Sequence, residues 1–313
     1  MGKSDEILLV NWRESFSKKF PKARFHEPMS RHTTFRIGGP AEVYCIAHTA
    51  KEAGDVYRFA KKYKQPVFAL GWGSNLLVRD GGVRGIVLRL GGEYEKIRFL
   101  KNNRVWAGAG VRMPQFVMRC AGKGLAGAES LVGVPGTVGG GLVMNAGTRD
   151  GEIGDLVVSV DVLDSVSFKP REIPRSRIRF SYRKSNLQKR LVLGGTLELR
   201  PGNKVDIIDT VRSYQRKRQE TQPIHTFNVG SVFKNPPGHF VAKLIEDAGL
   251  KGKKLRGAKV SDLHANFIEN FNKATSRDVL DLVSVIREAV KKRTGIELEL
   301  EMKVVGEEAQ SEA

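Results

Sequence analysis

With 313 residues and 40% apolar side chains, the chain can bury its own core, so neither disulfides nor structural metals are needed for stability. Its two cysteines, Cys45 and Cys120, sit inside apolar stretches with no C-x-x-C or Cys/His spacing. This argues against a zinc site or a secreted disulfide scaffold and predicts two buried small hydrophobes. The formal charge of +19 points to nucleic acid, a membrane surface, polyanionic small molecules or a basic solvated face.

Lysine and arginine are dispersed in short groups, such as Arg216-Lys217-Arg218 and Lys291-Lys292-Arg293. No aromatic residues interleave with them, so no specific nucleic-acid platform is expected. No apolar run reaches the about 18 residues of a membrane span, and Met1 to Asn11 lacks the order of a signal peptide. A cytoplasmic protein with no membrane span is the expectation.

In chain order, Val67 to Leu70, Ile86 to Leu90 and Val105 to Ala107 read as strands. Pro114 opens a short helix through Phe116, Val117 and Cys120 that ends at Gly122. Later strands are expected at Val157 to Leu163 and Leu191 to Leu199. Val205 to Gln219 reads as a helix, strongly charged toward its end, that marks a boundary to a separate C-terminal unit. That unit starts with a helix from Phe240 to Ala248, closed by Gly249. A longer helix follows, opened by the capping-box pair Thr275 and Asp278. Val279, Leu282, Val283, Ile286 and Val290 form its apolar stripe, and Gly295 comes after its basic last turn. Ile296, Leu298, Leu300, Met302 and Val304 then alternate with Glu297, Glu299, Glu301 and Lys303, the pattern of a strand with one buried face. Gly306 to Ala313 reads as frayed.

Glycine is concentrated: 19 of the 34 lie between Gly71 and Gly151, which marks that stretch as a binding layer. Glycine so dense weakens helices and strands, and close contact with a ligand is the natural compensation. Gly71-Trp72-Gly73-Ser74-Asn75-Leu76 follows a strand and can aim backbone N–H groups at an anion. A second loop, Gly133-Val134-Pro135-Gly136-Thr137-Val138-Gly139-Gly140-Gly141, leads into Met144-Asn145-Ala146-Gly147. Two such loops suit the pyrophosphate of a dinucleotide. The cofactor-binding candidates are Gly71, Gly73, Ser74, Asn75, Leu76, Gly133, Pro135, Gly136, Gly139, Gly140, Asn145 and Gly147. A P-loop is absent from the sequence. Gly122-Lys123-Gly124-Leu125-Ala126-Gly127 matches G-x-G-x-x-G by chance, because it ends a helix where that fingerprint should follow a strand.

Further blocks accompany these loops in a fixed order: Thr34-Phe35-Arg36-Ile37-Gly38-Gly39-Pro40-Ala41, Tyr182-Arg183-Lys184-Ser185, Gly230-Ser231-Val232-Phe233-Lys234-Asn235-Pro236, Ala248-Gly249-Leu250-Lys251-Gly252 and Leu298-Glu299-Leu300-Glu301. With them the chain resembles the UDP-N-acetylenolpyruvoylglucosamine reductases, flavoenzymes of peptidoglycan precursor synthesis, along nearly its whole length. The short interval from Arg183 to Ser231 is similar to the family's compact subtype. The resemblance implies an α+β fold: a two-subdomain FAD-binding fold of the vanillyl-alcohol-oxidase type and a C-terminal α+β domain that binds the UDP-sugar. The divisions expected are 1–66 and 67–203 for the two FAD-binding subdomains, 204–302 for the substrate domain and 303–313 for a tail, with the C-terminal strand open to returning to the first subdomain.

The implied reaction uses FAD and NADPH to reduce the enolpyruvyl ether of UDP-N-acetylglucosamine enolpyruvate. Arg183, Ser231 and Glu301 are the catalytic residues that the resemblance implies. A guanidinium can grip the carboxylate of the enolate-like dianion, a hydroxyl can supply a proton, and a protonated carboxyl can donate to the enolate oxygen. Tyr182, Asn235 and Lys251 are implied on the substrate. Departures from other members are Gln219 in place of a lysine, for which Arg216 or Arg218 are the candidate substitutes, His264 in place of a glutamine, and Thr148-Arg149-Asp150 after Asn-Ala-Gly. Two other readings stay open at this point: an oxidase on the same flavin domain, and a nucleic-acid-binding protein favoured by charge alone.

Overall fold

The computed structural model describes residues 12–309. The signal-peptide expectation for Met1 to Asn11 and the end of the tail, 310–313, lie outside the described residues. A first sheet runs in the order Arg24–Pro28, Pro40–Ala47, Val83–Leu90, Val67–Leu70. Its first pair is antiparallel and the other two are parallel. The crossover is the helix Ala50–Lys62, whose first turn is capped by the Thr49 hydroxyl and whose Val56, Phe59 and Ala60 turn inward. A division after residue 66 cuts this sheet. Val67–Leu70 and Val83–Leu90 hydrogen-bond into the same layer as Pro40–Ala47, so the first unit continues to Leu90.

A second, fully antiparallel sheet has the order Pro170–Pro174, Val157–Leu163, Val192–Glu198, Arg104–Gly108, Ile97–Phe99. It shares one apolar core with the first sheet. Cys45 and Cys120 are buried there, and burial pushes both thiols up to about 12, so they remain protonated apolar filling. The helix Met113–Ala121 ends with Gly122 as its cap, which confirms that Gly122 to Gly127 does not open a helix after a strand. The helix Lys204–Thr221 is the second correction to the division. Its buried Ile207 and Val211 join the same core, so it packs with the flavin-type unit, and the boundary falls after it.

The C-terminal unit builds a second core around Val241–Asp247, Ser276–Thr294 and the three-stranded sheet Lys254–Leu255, Ala258–Val260, Ile268–Asn270, to which Phe35, Ile37 and Leu77 of the flavin-type unit also contribute. Thr275 and Asp278 form the reciprocal capping box, and Gly295 closes the longer helix at φ 73°. Packing decides that helix. Five stripe residues are buried, each contributing about 1.5–3 kcal/mol, against about 1 kcal/mol for the cap.

The strand expected over Ile296 to Val304 is mostly not one. Leu298 and Met302 are buried as the alternation requires, but the partner is the short loop Val232 to Lys234, which offers a single bridge between Phe233 and Leu300. Only Lys303–Val305 is a strand, and it pairs in parallel with Leu76–Val78. Residues 303–305 are therefore part of the fold's closure and no tail, and Glu307 bridges Gly82, which corrects the expected fraying from Gly306. Among the described residues no helix is long and apolar enough to cross a membrane.

Candidate active site

One cavity of about 600 Å³ lies where the two glycine-rich loops meet the C-terminal unit. Gly71 to Leu76, Gly133 to Thr137, Gly139, Gly140 and Gly147 line it, as do Arg183, Ser231 and Glu301. Positive φ and close contact explain the glycines at two positions. Gly73 has φ 65° and a Cβ there would stand 2.2 Å from the His32 carbonyl oxygen, while at Gly136, φ 115°, it would stand 2.8 Å from the Ser74 Oγ of the opposite loop.

The loops offer donors unequally. The backbone N–H groups of Ser74, Asn75, Gly136 and Thr137 have no hydrogen-bond partner among the described residues, and all four residues line the cavity. Gly139 and Gly140 line it too, but their amides point into the protein: Gly139 N–H donates to the Ala109 carbonyl at 3.0 Å and Gly140 N–H to Thr137 Oγ1 at 3.3 Å. They admit a ligand by lacking side chains and do not grip it.

Asn145 does not line the cavity. It is 1% exposed and left-handed at φ 47°, and its side chain is fully engaged. Nδ2 donates to Glu152 and to the Ser181 carbonyl at 3.2 Å, and Oδ1 accepts the Gly154 N–H at 3.1 Å. As a direct cofactor ligand it is therefore corrected to a scaffold residue. What it anchors is the small hairpin Phe180–Ser181 and Lys184–Ser185, which the Ser185 hydroxyl also ties to the Val143 carbonyl at 2.7 Å.

Arg183 sits in the turn of that hairpin at φ 55°, a conformation that costs a non-glycine residue energy and that the two anchors hold in place. Its Nε donates to Glu301 Oε1 at 2.8 Å, and the two side chains are 18% and 16% exposed. Burial pushes the Glu301 carboxyl above the usual carboxylate range, and Arg183 followed by Lys234 pulls it back in part. From the flavin-type unit, Asn75 Nδ2 donates to the Glu301 carbonyl at 3.1 Å, so Glu301 is held at both its backbone and its side chain.

Ser231 follows Gly230, which has φ 78°. Its hydroxyl has no hydrogen-bond partner among the described residues, and it faces the cavity. The segment is clamped by buried Asn266, whose side chain bonds both the N–H and the carbonyl of Phe233 at 2.9 Å.

Three sequence candidates lie off the cavity lining. Tyr182 is 47% exposed, with the Arg183 guanidinium 4.9 Å from its ring centre. Asn235 is exposed and its Oδ1 accepts the Val241 N–H at 3.0 Å. Lys251 is exposed and pairs with Glu246 at 3.3 Å. Of the candidate substitutes at the position of Gln219, Arg216 is exposed, whereas Arg218 lines the cavity. Arg218 donates to Gln222 Oε1 at 2.9 Å, with no carboxylate partner among the described residues, and burial lowers its pKa. His264 is half-buried, which lowers its pKa, and its ring packs edge-on against Phe267.

Sequence reasoning missed Arg89, Lys189, Arg190 and Lys303, which complete a lining of six cationic side chains with Arg183 and Arg218; Glu301 is the sole carboxylate among the lining residues. The alternation from Glu301 to Lys303 was the available signal for the last of them. Such a lining, around unpaired amides and side-chain-free loops, fits a polyanionic dinucleotide.

Comparison with known proteins decides among such ligands. Residues 41–166 match the FAD binding domain model, and residues 222–305 match the C-terminal domain of UDP-N-acetylenolpyruvoylglucosamine reductase. The reductase of that name from Moorella thermoacetica is 43% identical over 90% of this chain and 93% of its own length. The one from Caldanaerobacter subterraneus subsp. tengcongensis is 40% identical over 96% and 99%. The chain belongs to the UDP-N-acetylenolpyruvoylglucosamine reductase family. The crystal structure of the Thermus caldophilus reductase matches with a TM-score of 0.79 at 35% identity, over 91% of this chain and 98% of that one. This family member is accordingly an FAD-containing oxidoreductase with an FAD-binding part and a reductase C-terminal domain. The C-terminal match begins one residue after the helix Lys204–Thr221, where the core boundary falls.

Proposed function

We propose that this chain reduces the enolpyruvyl ether of UDP-N-acetylglucosamine enolpyruvate to UDP-N-acetylmuramate with NADPH, in the cytoplasm, as a step toward peptidoglycan. The observation that carries this reading is the meeting of the Arg183–Glu301 pair with the unpartnered Ser231 hydroxyl on the cavity lined by both glycine loops. FAD, when bound, supplies hydride acceptance and hydride donation; the protein positions, charges and protonates.

Arg183 is the carboxylate clamp. Its guanidinium is held by Glu301. A substrate carboxylate competes for the same donor, and each hydrogen bond that Arg183 gives to substrate removes support from the ionised form of Glu301. Burial then favours the protonated carboxyl, which can donate to the enolate oxygen. Ser231 delivers the proton to the alkene carbon that does not receive the hydride. Arg218 fits a phosphate of the nucleotide or substrate, and Asn235 and Lys251, on the exposed side of the C-terminal unit, fit the UDP end.

The test is a spectrum of the purified protein. A flavin band should bleach with NADPH under anaerobic conditions and return when UDP-N-acetylglucosamine enolpyruvate is added. A colourless protein that cannot be reconstituted with FAD sinks the reading. A reduced protein that is reoxidised rapidly by air but not by the enolpyruvyl substrate makes it an oxidase.

A further inference from the structure

A second cavity, of about 160 Å³, lies between the edge strand Pro170–Pro174 and the segment from Asn186 to Arg190. Ile173 and the buried Leu187 line it, and Arg171, Arg177 and Arg190 border it. Glu172 borders it too, yet its carboxylate belongs to the opposite face of the sheet. In the ladder Arg171 and Ile173 stand opposite the core-facing Val162 and Val160, whereas Glu172 stands opposite Asp161. The guanidinium groups of Arg177 and Arg190 have no hydrogen bond, ion pair or ring contact among the described residues. Arg171 reaches Asp164 at 3.5 Å, but that carboxylate already accepts the N–H groups of Val166 and Ser167.

Three like charges around one small cavity repel one another unless an anion lies between them. An inward-turned charge on an edge strand also discourages pairing with another chain. That covers Arg171 and leaves Arg177 and Arg190 unexplained, since neither is on a strand. The wall they stand on is firmly built. Asn186 Oδ1 accepts the Arg179 N–H at 3.1 Å, its Nδ2 donates to the Arg177 carbonyl at 3.0 Å, and the Leu187 N–H donates to Ser185 Oγ at 3.3 Å. The volume falls below the about 300–1,000 Å³ of pockets for organic ligands, and the guanidinium fork matches the geometry of an oxyanion. We propose that this cavity binds a small multivalent oxyanion of the phosphate class, gripped by Arg171, Arg177 and Arg190. The bonds of Asn186 close the foot of the hairpin that carries Arg183, so a bound anion ties the segment entering that hairpin to the one leaving it. Arg190 borders the larger cavity as well, so the two sites share one cation. The proposal depends on neither FAD nor the enolpyruvyl substrate.

Titration of the full chain with inorganic phosphate at constant ionic strength tests it, read by NMR of the Asn186 side-chain amide and the Leu187 N–H. These signals should shift and saturate below about 10 mM phosphate. Arg177→Met and Arg171→Met, neither of which touches the larger cavity, should each weaken binding about tenfold or more. Arg218→Met, at the larger cavity, should leave it within about twofold, which separates the two sites. Phosphate should also slow hydrogen exchange across residues 178–187 in the wild type and not in Arg177→Met. Thermal unfolding of each variant without phosphate controls for folding. A parallel titration with glycerol 3-phosphate distinguishes the source: weaker binding supports the free ion, and tighter binding assigns the site to the end group of a phosphomonoester. Signals that do not move over that range overturn the proposal. So do shifts that chloride reproduces at equal ionic strength, or shifts unchanged in both Arg177→Met and Arg171→Met.

Discussion

Arg183 and Glu301, 118 positions apart, are joined by a hydrogen bond of 2.8 Å between side chains that are both mostly buried. Two opposed influences therefore meet on one carboxyl. Burial raises the Glu301 pKa, and the Arg183 charge lowers it. Arg183→Met removes the larger of the two lowering influences, that of Lys234 remaining, so the carboxyl should titrate at higher pH than in wild type. Carboxyl-carbon NMR of the apoprotein reads this directly, and a shift to lower pH contradicts the arrangement. The sign for stability follows: wherever pH exceeds the raised folded-state pKa, ionised Glu301 costs the fold energy, and Arg183→Met should make that cost larger.

Ser231→Ala should leave bleaching by NADPH at wild-type rate and slow reoxidation by the enolpyruvyl substrate by about 10²-fold or more, the usual contribution of a positioned proton donor. Stopped-flow measurement of the two half-reactions separates them. Equal rates in both would remove Ser231 from proton transfer.

Asn145→Ala leaves the buried Gly154 N–H without its side-chain partner and breaks the bond to the Ser181 carbonyl. The expected loss is about 2–3 kcal/mol, read from the midpoint of urea unfolding. Because the same side chain anchors the Arg183 hairpin, the variant's second half-reaction should also slow more than its first.

The contrast between Arg216 and Arg218 is a further check. Arg218→Met should raise KM for the nucleotide-bearing ligands about tenfold or more, the order of one lost charge-assisted hydrogen bond. Arg216→Met, on the exposed face of the same helix, should change it by less than twofold.

His264 has its pKa lowered by burial, so the unfolded chain takes up a proton before the folded one does. Stability from this group is complete above about pH 6.5 and is lost as pH falls through the folded-state value. His264→Gln should flatten the acid side of the stability profile. An unchanged slope between pH 7 and 5 in urea titrations would assign the acid sensitivity elsewhere.

Much of the fold could be read from local pattern. The capping box at Thr275, the stripe from Val279 to Val290 and Gly295 state a helix completely, because each signal is settled within a few residues. Partnership across the chain was not so readable. The alternation from Ile296 to Val304 reports which side chains are buried but not that only Lys303–Val305 finds a strand to pair with, since that depends on what lies opposite. The membership of the helix Lys204–Thr221 was likewise hidden, because Ile207 and Val211 look the same whichever core receives them. At the site, glycine density announced the loops, yet only the geometry shows that Gly139 and Gly140 have their amides turned inward and that Asn145 is scaffold. Arg183, Ser231 and Glu301 each look like ordinary surface or turn residues in isolation. They stood out through the family blocks, and the structure brings all three to one cavity.

The pairing of Lys303–Val305 with Leu76–Val78 gives the C-terminal unit a second backbone tether to the rest of the molecule besides the one after the helix ending at Thr221, and hydrogen bonds from Thr34 to Asn228 and between Asp80 and Ser276 join the two as well. In topological terms it is an insert nested within the flavin-holding chain and not an appendage at its end. A body tethered at two points moves only by bending both connections together. A nick near Asn272, between the tethers, should leave the halves associated, where a nick beyond the last tether would simply release a peptide.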